Sequence, residues 1–262
     1  MNLPLHGSPL TILMYHSVNP EPDDYSVTPA RFRQHMALVS RHYPVVALKD
    51  IRSALANTTV RKVIITFDDA FVDFLEHAYQ ILAEFNLPVT LFVPTGFVGR
   101  SNLWDSQLLN VTPKPIMDVH ALRRVCADGL VDLGSHTVDH VRMRRLTQNQ
   151  MHLQAATSKR WLEDTFGKPV TMFSYPYGQR DDFSDLTEKV LSDTGYQAAV
   201  TTCWGTRNSR RNLFALRRVH FSNREDLETV RAKIEGWYDW IGLKECVGFI
   251  LRAGMRMIRT RG

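Results

Sequence analysis

The sequence predicts an α/β protein whose parallel strands form a closed or nearly closed barrel. Short runs of β-branched and aromatic residues alternate with helical patterns along the whole chain, which is the arrangement of parallel strands joined by crossover helices. Eight strand candidates fall within 262 residues, and neither a repeat nor a low-complexity linker separates them. A single barrel accommodates that number better than two smaller domains do.

The predicted elements follow one another in a regular order. Strand candidates, which are short apolar runs, cover residues 10–15, 45–48, 63–67, 89–93, 130–134, 171–175, 198–202 and 216–219. Helix candidates, which are longer and have apolar residues at helical spacing, cover residues 29–41, 48–56, 72–85, 119–127, 148–166 and 183–194. Capping boxes, in which a Ser or Thr is followed three residues later by a Glu or Gln, predict helix starts at Thr147 and Ser222.

Composition excludes several classes of protein. With 44% hydrophobic and 23% charged residues the chain is neither disordered nor fibrous. The longest apolar runs, residues 10–15 and 89–93, are far shorter than the roughly 20 residues that a membrane-spanning helix needs. Three widely spaced cysteines predict reduced thiols rather than disulfides or a cysteine metal site. Because no basic segment precedes the first apolar stretch, we expect a cytoplasmic protein.

The net charge of +5 is distributed unevenly. No acidic residue follows Glu245, whereas four arginines do: Arg252, Arg256, Arg259 and Arg261. We therefore expect a barrel over residues 1–241 and a basic helix or tail over residues 242–262. Apolar residues among the arginines fit a peripheral helix on the anionic inner face of a membrane, and they also fit a C-terminal helix packed on the domain. No nucleic-acid-binding motif accompanies the charge, so we expect no nucleic acid partner.

Two features follow the ends of predicted strands, where barrel folds place their active sites. Asp68 and Asp69 come directly after the strand at 63–67. Two adjacent carboxylates repel each other unless a cation or a proton lies between them, although such a pair is also typical of a solvated turn. The long segment 94–115 contains Trp104 and Asp105, and we expect it to be a binding loop that contacts substrate rather than a structural excursion.

His136 and His140 follow the predicted strand at 130–134. On a helical turn, a spacing of four residues places both imidazoles on one face, as in helical zinc sites. The spacing alone is weak evidence, because ten histidines produce such pairs by chance. Together with one carboxylate of the Asp pair, two imidazole nitrogens would leave a divalent ion one open position, which is how catalytic zinc sites are built. The other aspartate would then be free to accept a proton from water.

Two further strand ends carry candidate groups. The segment Phe-Ser-Tyr-Pro-Tyr-Gly at 173–178 ends in a tight turn that can direct a backbone N–H at an oxyanion, although it also resembles an ordinary strand end. His16 follows the strand at 10–15. The pKa range of a histidine suits a general acid, although a lone histidine at this place is also typical of a structural residue.

In combination, three segments resemble the first three motifs of the polysaccharide deacetylase family, also called carbohydrate esterase family four. They are Thr66-Phe67-Asp68-Asp69, Ser135-His136-Thr137-Val138-Asp139-His140 and Tyr175-Pro176-Tyr177-Gly178. The resemblance implies a distorted (β/α) barrel of about seven to eight strands, and metal-dependent removal of N-acetyl groups from a sugar, glycan or glycan precursor. It also implies that Asp68 is the base, that Asp69, His136 and His140 hold one divalent metal ion, with zinc the first choice, and that the Tyr177 N–H binds the oxyanion.

The sequence departs from the family pattern in two places. Ser174 stands where many members have an arginine that orients the base. The histidine that carries the acid has two candidates, His220 and His16; we favour His16, because its Tyr-His-Ser context resembles a circularly permuted branch that acts on exopolysaccharides. Two other functions stay open, a metal-dependent hydrolase of another amide or ester and a catalytically silent carbohydrate-binding module, which Ser174 would suit.

Overall fold

A computed structural model of the protein describes residues 10–23, 26–56, 59–104 and 113–245. The strands are β1 (Leu10–Tyr15), β2 (Ser17–Val18), β3 (Ser26–Val27), β4 (Lys62–Phe67), β5 (Val89–Val93), β6 (Val131–Ser135), β7 (Met172–Ser174), β8 (Ala198–Trp204) and β9 (Leu216–His220). Seven of them form a closed parallel barrel in the order β1-β4-β5-β6-β7-β8-β9, and β9 pairs with β1 to close it. Strands β2 and β3 pair outside the barrel. The prediction of a (β/α) barrel is therefore confirmed.

The helices that surround the barrel occur between its strands or after the last one. They are α1 (Pro29–His42), α2 (Ile51–Ala54), α3 (Tyr79–Glu84), α4 (Val119–Val125), α5 (Gln148–Phe166), α6 (Asp185–Asp193) and α7 (Leu227–Ile234). A π-helical stretch, Phe74–Ala78, leads directly into α3. Within the described residues, none of the helices has both the length and the apolar character needed to cross a bilayer.

Two local predictions are wrong. Residues 45–48 form no barrel strand, because β5 occupies the same edge of β4 from Ile65 onward. Only the start of that edge stays open, and there Val45 forms a single bridge with Val63. The capping box at Thr147 does begin α5. At Ser222, however, the chain forms a turn, and α7 begins later with Asp226 as its N-cap.

Alternate strand residues belong to two separate apolar clusters, as the two-residue period of a strand requires. The larger cluster joins strand residues to the helices and lies outside the barrel. The smaller cluster includes Ile12, Ile64, Phe92, Met172 and Val200, and it fills the barrel interior. Its neighbours toward the carboxyl ends of the strands are polar and buried, namely Thr66, Ser174 and Arg218. The interior is therefore apolar at one end and polar at the end where the loops carry the candidate site.

Candidate active site

Most of the predicted site residues converge on one cleft at the carboxyl ends of the barrel strands. The cleft has a volume of about 430 Å³, and its lining includes His16, Asp68, Asp69, Trp104, His136, His140, Tyr177 and His220. They come from the loops after β1, β4, β5, β6 and β7 and from the end of β9. Asp105 lies outside the described residues. The closed barrel explains the convergence, because it brings the ends of strands that are distant in sequence to one rim.

Asp69, His136 and His140 form a compact group of donor atoms. The Oδ1 atom of Asp69 lies 3.4 Å from Nε2 of His136 and 3.3 Å from Nε2 of His140. All three residues are buried, and one ligand atom from each lies within 4.8 Å of the others. Within the described residues, Asp69 Oδ1 accepts no hydrogen bond. A buried carboxylate oxygen flanked by two imidazole nitrogens matches the donor set of a divalent metal ion.

The protonation of His136 supports this interpretation. Its Nδ1 atom lies 2.8 Å from the carbonyl oxygen of Ser174. Since a carbonyl can only accept, Nδ1 carries a hydrogen, and Nε2 is the ring nitrogen that faces Asp69 and can bind a metal ion. Such a contact on the far side of the ring also fixes the orientation of a ligating imidazole. Burial would lower the pKa of His136, but the carboxylates of Asp69 and Asp68 outweigh it and raise the pKa, so this site favours a positive charge, whether a proton or a metal ion.

The histidine pair does not lie on a helix, so that part of the sequence prediction is wrong. The residues after β6 form a loop in which Thr137 and His140 have positive φ values of 64° and 50°. Asp69 and Tyr177 also have positive φ values, 70° and 61°. Left-handed backbone is costly for residues with a Cβ atom and concentrates at functional sites. Here it turns side chains from three loops into one cleft.

The Asp68 carboxylate is held by a buried arginine from β9, which only β1 separates from β4 in the barrel. Nη1 of Arg218 donates to Oδ1 at 2.8 Å, and Nη2 donates to Oδ2 at 2.6 Å. The Ser174 hydroxyl donates to Oδ2 at 3.3 Å. Arg218 itself is fixed by its Nε–H, which donates to the carbonyl of Thr201 at 2.7 Å, and by Thr66 Oγ1, which accepts from Nη1 at 3.1 Å. This bidentate pair fixes both the position and the rotation of the carboxylate.

Both aspartates of the pair are ionised in this environment. Burial would raise the pKa of Asp68, but the Arg218 guanidinium outweighs it and holds the pKa below its ordinary value. Burial would likewise raise the pKa of Asp69, and the imidazoles of His136 and His140 outweigh it, so that the pKa lies well below its usual range. Two negative charges next to each other in a buried cleft favour the binding of a cation.

Of the two candidate acids, His16 lies beside the base. Its Nε2 atom is 3.9 Å from Oδ2 of Asp68, and its side chain is 24% exposed, so it can reach both the base and the cleft. His220 is the β9 residue that pairs with Met14, and its ring packs edge-on against Trp204 at 4.9 Å. Both histidines line the cleft, but His16 is the one with a contact to Asp68.

Trp104 and Tyr177 form aromatic walls around His140. The Trp104 ring stacks on the His140 ring with centroids 4.0 Å apart, and the Tyr177 ring meets His140 edge-on at 5.0 Å. The guanidinium of Arg142 lies 3.7 Å from the centre of the Tyr177 ring, and Arg142 is anchored by an ion pair with Asp182. These contacts hold His140 in place and leave both aromatic residues in the lining of the cleft.

Comparison with known proteins identifies the family. Residues 56–199 match the family model of polysaccharide deacetylases. The chain belongs to this family. A Bacillus subtilis protein named as a polysaccharide deacetylase, YxkH, is 29% identical over 81% of this chain and 71% of its own length. A Staphylococcus aureus poly-beta-1,6-N-acetyl-D-glucosamine N-deacetylase is 27% identical over 65% of this chain and 60% of its own length.

Solved structures of the polysaccharide deacetylase family share the fold. IcaB from Ammonifex degensii superposes with a TM-score of 0.75 at 22% identity, covering 88% of this chain and 98% of that one. The Streptococcus pyogenes deacetylase PplD, solved in complex with acetate, superposes with a TM-score of 0.72 at 21% identity, covering 86% of this chain and 97% of that one. The family resemblance and the prediction of a deacetylase are thus confirmed.

Arg218 is the residue that sequence reasoning missed. The polysaccharide deacetylase motif predicts an arginine at the position of Ser174. The guanidinium that contacts Asp68 comes instead from β9, 44 positions further along the chain. The small Ser174 side chain leaves room for it, and its hydroxyl contacts both partners. One signal was available: Arg218 comes two residues after Leu216, on the same face of β9, and an arginine on the inner face of a barrel strand needs a buried acidic partner.

Proposed function

We propose that this polysaccharide deacetylase family member is a metal-dependent N-deacetylase of glycans that contain N-acetylhexosamine. The observation that carries the proposal is the convergence of three buried metal-type ligands beside a separate, oriented carboxylate. A binding protein has no use for a free base next to a metal site. The silent-module alternative depended on a missing arginine, and Arg218 occupies that role in space.

Asp69, His136 and His140 would hold the metal, and the donor set of one carboxylate oxygen and two imidazole nitrogens favours zinc. A divalent ion bound there supplies Lewis acidity, which makes water more acidic and polarises the acetyl carbonyl. Asp68 does not belong to this donor set, because Arg218 engages both of its oxygens. It is therefore available for proton transfer.

The protein side chains divide the proton transfers between them. Asp68 accepts a proton from the attacking water as the new C–O bond forms at the acetyl carbon. The backbone N–H of Tyr177 helps to stabilise the oxyanion that develops on the carbonyl oxygen. Protonated His16 then donates its proton to the amide nitrogen, so that the C–N bond breaks and acetate and a free amine leave.

The substrate class follows from the lining of the cleft and from the relatives. Trp104 and Tyr177 offer aromatic faces on which sugar rings pack well. The Staphylococcus aureus relative is named for N-deacetylation of poly-beta-1,6-N-acetyl-D-glucosamine, which supports a polymer or oligomer of N-acetylglucosamine for this chain. Because that match covers 60% of the relative's length, linkage and chain length are part of the proposal.

A cytoplasmic location is a separate proposal. It is supported by Cys126 and Cys203, which are free thiols in the described part of the chain, since reduced cysteines are typical of the cytosol. Cell fractionation with an antibody against the protein tests it. Recovery mainly outside the cytoplasm, or labelling of intact cells by an impermeant reagent, would contradict it.

The activity is tested with the purified full chain and N-acetylglucosamine oligomers of β-1,6 and β-1,4 linkage, with release of free amine and acetate as the readout. Elemental analysis of the same preparation identifies the metal. We expect deacetylation by the parent and its loss in His136→Ala and Asp68→Asn, with metal content lost only in His136→Ala. Full activity of His136→Ala in metal-replete buffer would refute the mechanism. Faster cleavage of simple esters than of amides would favour the alternative hydrolase.

A further inference from the structure

A strip of exposed apolar side chains lies in the last described segment of the chain and has no role in the proposed reaction. Trp237, Trp240 and Leu243 have exposed fractions of 53%, 49% and 58%. We call these three residues the C-terminal strip. Seven large apolar residues of the described part are exposed, and three of them fall within these seven positions. Both of the exposed tryptophans are among them, and exposed clusters of this kind mark interaction surfaces.

The segment that carries the strip is fixed to the barrel. Asp239 accepts hydrogen bonds from the backbone N–H and the hydroxyl of Thr206, at 2.8 and 2.9 Å. Gly242 lies so close to β8 that a Cβ atom there would come within 2.3 Å of the carbonyl oxygen of Trp204. The backbone is therefore fixed on both sides of Trp240, and the strip side chains are exposed although the backbone that carries them packs on the barrel.

The segment that carries the strip runs from the opposite end of the barrel, where the Ile234 carbonyl accepts from Thr11 Oγ1, to the edge of the catalytic cleft. Glu245 accepts a hydrogen bond from the backbone N–H of Trp204 at 3.0 Å, and it lines the cleft together with Gln179 and Thr202. A membrane that docks on the C-terminal strip would therefore run along the side of the barrel and reach the edge of the cleft near Glu245. This connection links a docking surface to the access route of the substrate.

The segment that carries the strip has mixed charge, with Glu235, Asp239 and Glu245 beside Lys244, and the basic excess lies in the sequence that follows it. The Lys244 ammonium lies 4.5 Å from the centre of the Trp240 ring. In the sequence after Glu245, four arginines and no acidic residue follow. Tryptophan is enriched where a protein meets the interface of a bilayer, and basic residues near an anionic bilayer are attracted to its lipids. An anionic bilayer matches the tryptophans of the strip and the four arginines that follow it in the sequence.

We propose that the C-terminal strip docks on an anionic membrane surface and, if the proposed function holds, brings the cleft to N-acetylated glycans carried at that surface. The tryptophans provide the interfacial anchor and the basic residues provide the attraction to anionic lipid. Two other occupants compete, a second copy of this chain and the residues that follow Glu245. Vesicle sedimentation, together with the oligomeric state of the protein without vesicles, distinguishes these two occupants from a membrane.

The experiment measures sedimentation of the full-length protein with vesicles, without any glycan present. Vesicles of phosphatidylcholine are compared with vesicles that also contain phosphatidylglycerol. The test variant is Trp237→Ser/Trp240→Ser, and the matched control is Leu153→Ser/Leu186→Ser, which removes two exposed apolar side chains from α5 and α6. We expect binding to the anionic vesicles, a loss of about tenfold or more in the tryptophan variant, and no loss in the control.

Three results would overturn the proposal. One is equal vesicle binding by the tryptophan variant and the parent. Another is that, in sedimentation velocity without vesicles, the parent and the leucine control are dimers and the tryptophan variant is a monomer, since the strip would then bind a second copy. The third is tryptophan emission that anionic vesicles do not shift, because the strip would then already be covered. Deacetylation of a soluble oligomer is measured in parallel, so a failure of the proposed function is recognised separately.

Discussion

The contact between Arg218 and Asp68 provides the sharpest single test of the site. Arg218→Met keeps much of the side-chain volume but removes the guanidinium, whose two nitrogens lie 2.8 and 2.6 Å from the carboxylate oxygens. Both partners are almost completely buried, with exposed fractions of 0% and 1%. Removing one partner of a buried ion pair costs about 3–5 kcal/mol of unfolding free energy. We expect a loss of that size in urea denaturation.

The catalytic effect should exceed what a loss of stability explains. Asp68 would lose its orientation, and a misplacement of about 1 Å in a reacting group can lower the rate roughly a hundredfold. Its pKa would also rise, so the acid limb of the kcat/KM profile should move to higher pH. KM should change little, since Arg218 does not line the cleft. Arg218→Lys keeps the charge but not the bidentate geometry, and should lie between the parent and Arg218→Met.

Arg61 provides the matched control. It is also a buried arginine, but it lies at the opposite end of the barrel, where Nη1 donates to Thr11 Oγ1 at 3.0 Å and to the Ile234 carbonyl at 3.2 Å. Arg61→Met should reduce stability and leave kcat and the pH profile unchanged. The assay is free-amine release from N-acetylglucosamine oligomers between pH 5 and 9, at a temperature where each variant is folded. A kcat for Arg218→Met within about threefold of the parent would refute the positioning role.

Three further predictions concern other parts of the molecule. Trp104→Ala removes the ring that stacks on His140, so zinc affinity in calorimetric titration should fall roughly 10–100-fold, and an unchanged affinity would contradict this role. Burial, with help from Arg31 and Lys233, lowers the pKa of His35 to about 3, so only the unfolded chain binds a proton there as the pH falls below 6.5. Stability should therefore drop by about 1.6 kcal/mol between pH 6.5 and 5, and His35→Gln, compared by urea denaturation at both pH values, should lose that drop. Gly134→Ala would place a Cβ atom 2.4 Å from the Phe92 ring and should cost about 1–3 kcal/mol in thermal unfolding, whereas a neutral effect would show that the interior can yield.

Much of the fold could be predicted from the sequence, because barrel strands such as β1, β4 and β5 are short, largely apolar runs bounded by polar or turn residues. The error at residues 45–48 has a tertiary cause. These residues have the composition of a strand, and the backbone N–H of Val46 donates a hydrogen bond to the carbonyl of Val63. The edge of β4 is then taken over by β5 at Ile65, so no ladder can grow. A local pattern contains no information about which edges are already occupied.

The metal-type ligands could be found from the sequence because they belong to short motifs, but their backbone could not. The spacing of His136 and His140 suggested a helix, since helical side chains four apart share a face. The protein reaches a similar convergence through a loop in which Thr137 and His140 are left-handed. Positive φ values are uncommon for any residue other than glycine, and above all for a β-branched residue such as Thr137, so propensity points away from the observed geometry. The surrounding barrel enforces it, as the hydrogen bond from His136 Nδ1 to the Ser174 carbonyl illustrates.

Arg218 shows why the sequence motifs alone could not identify the residue that orients Asp68. The requirement is physical: a buried carboxylate next to two imidazoles needs a cation that fixes its orientation. That requirement can be met from any strand whose side chain points into the barrel, and β9 lies next to β1, which lies next to β4. Replacing the arginine of the motif by Ser174 and supplying it from β9 leaves the same guanidinium at the same carboxylate. A departure from a family motif is therefore evidence of lost activity only after the space around the base has been searched for a substitute.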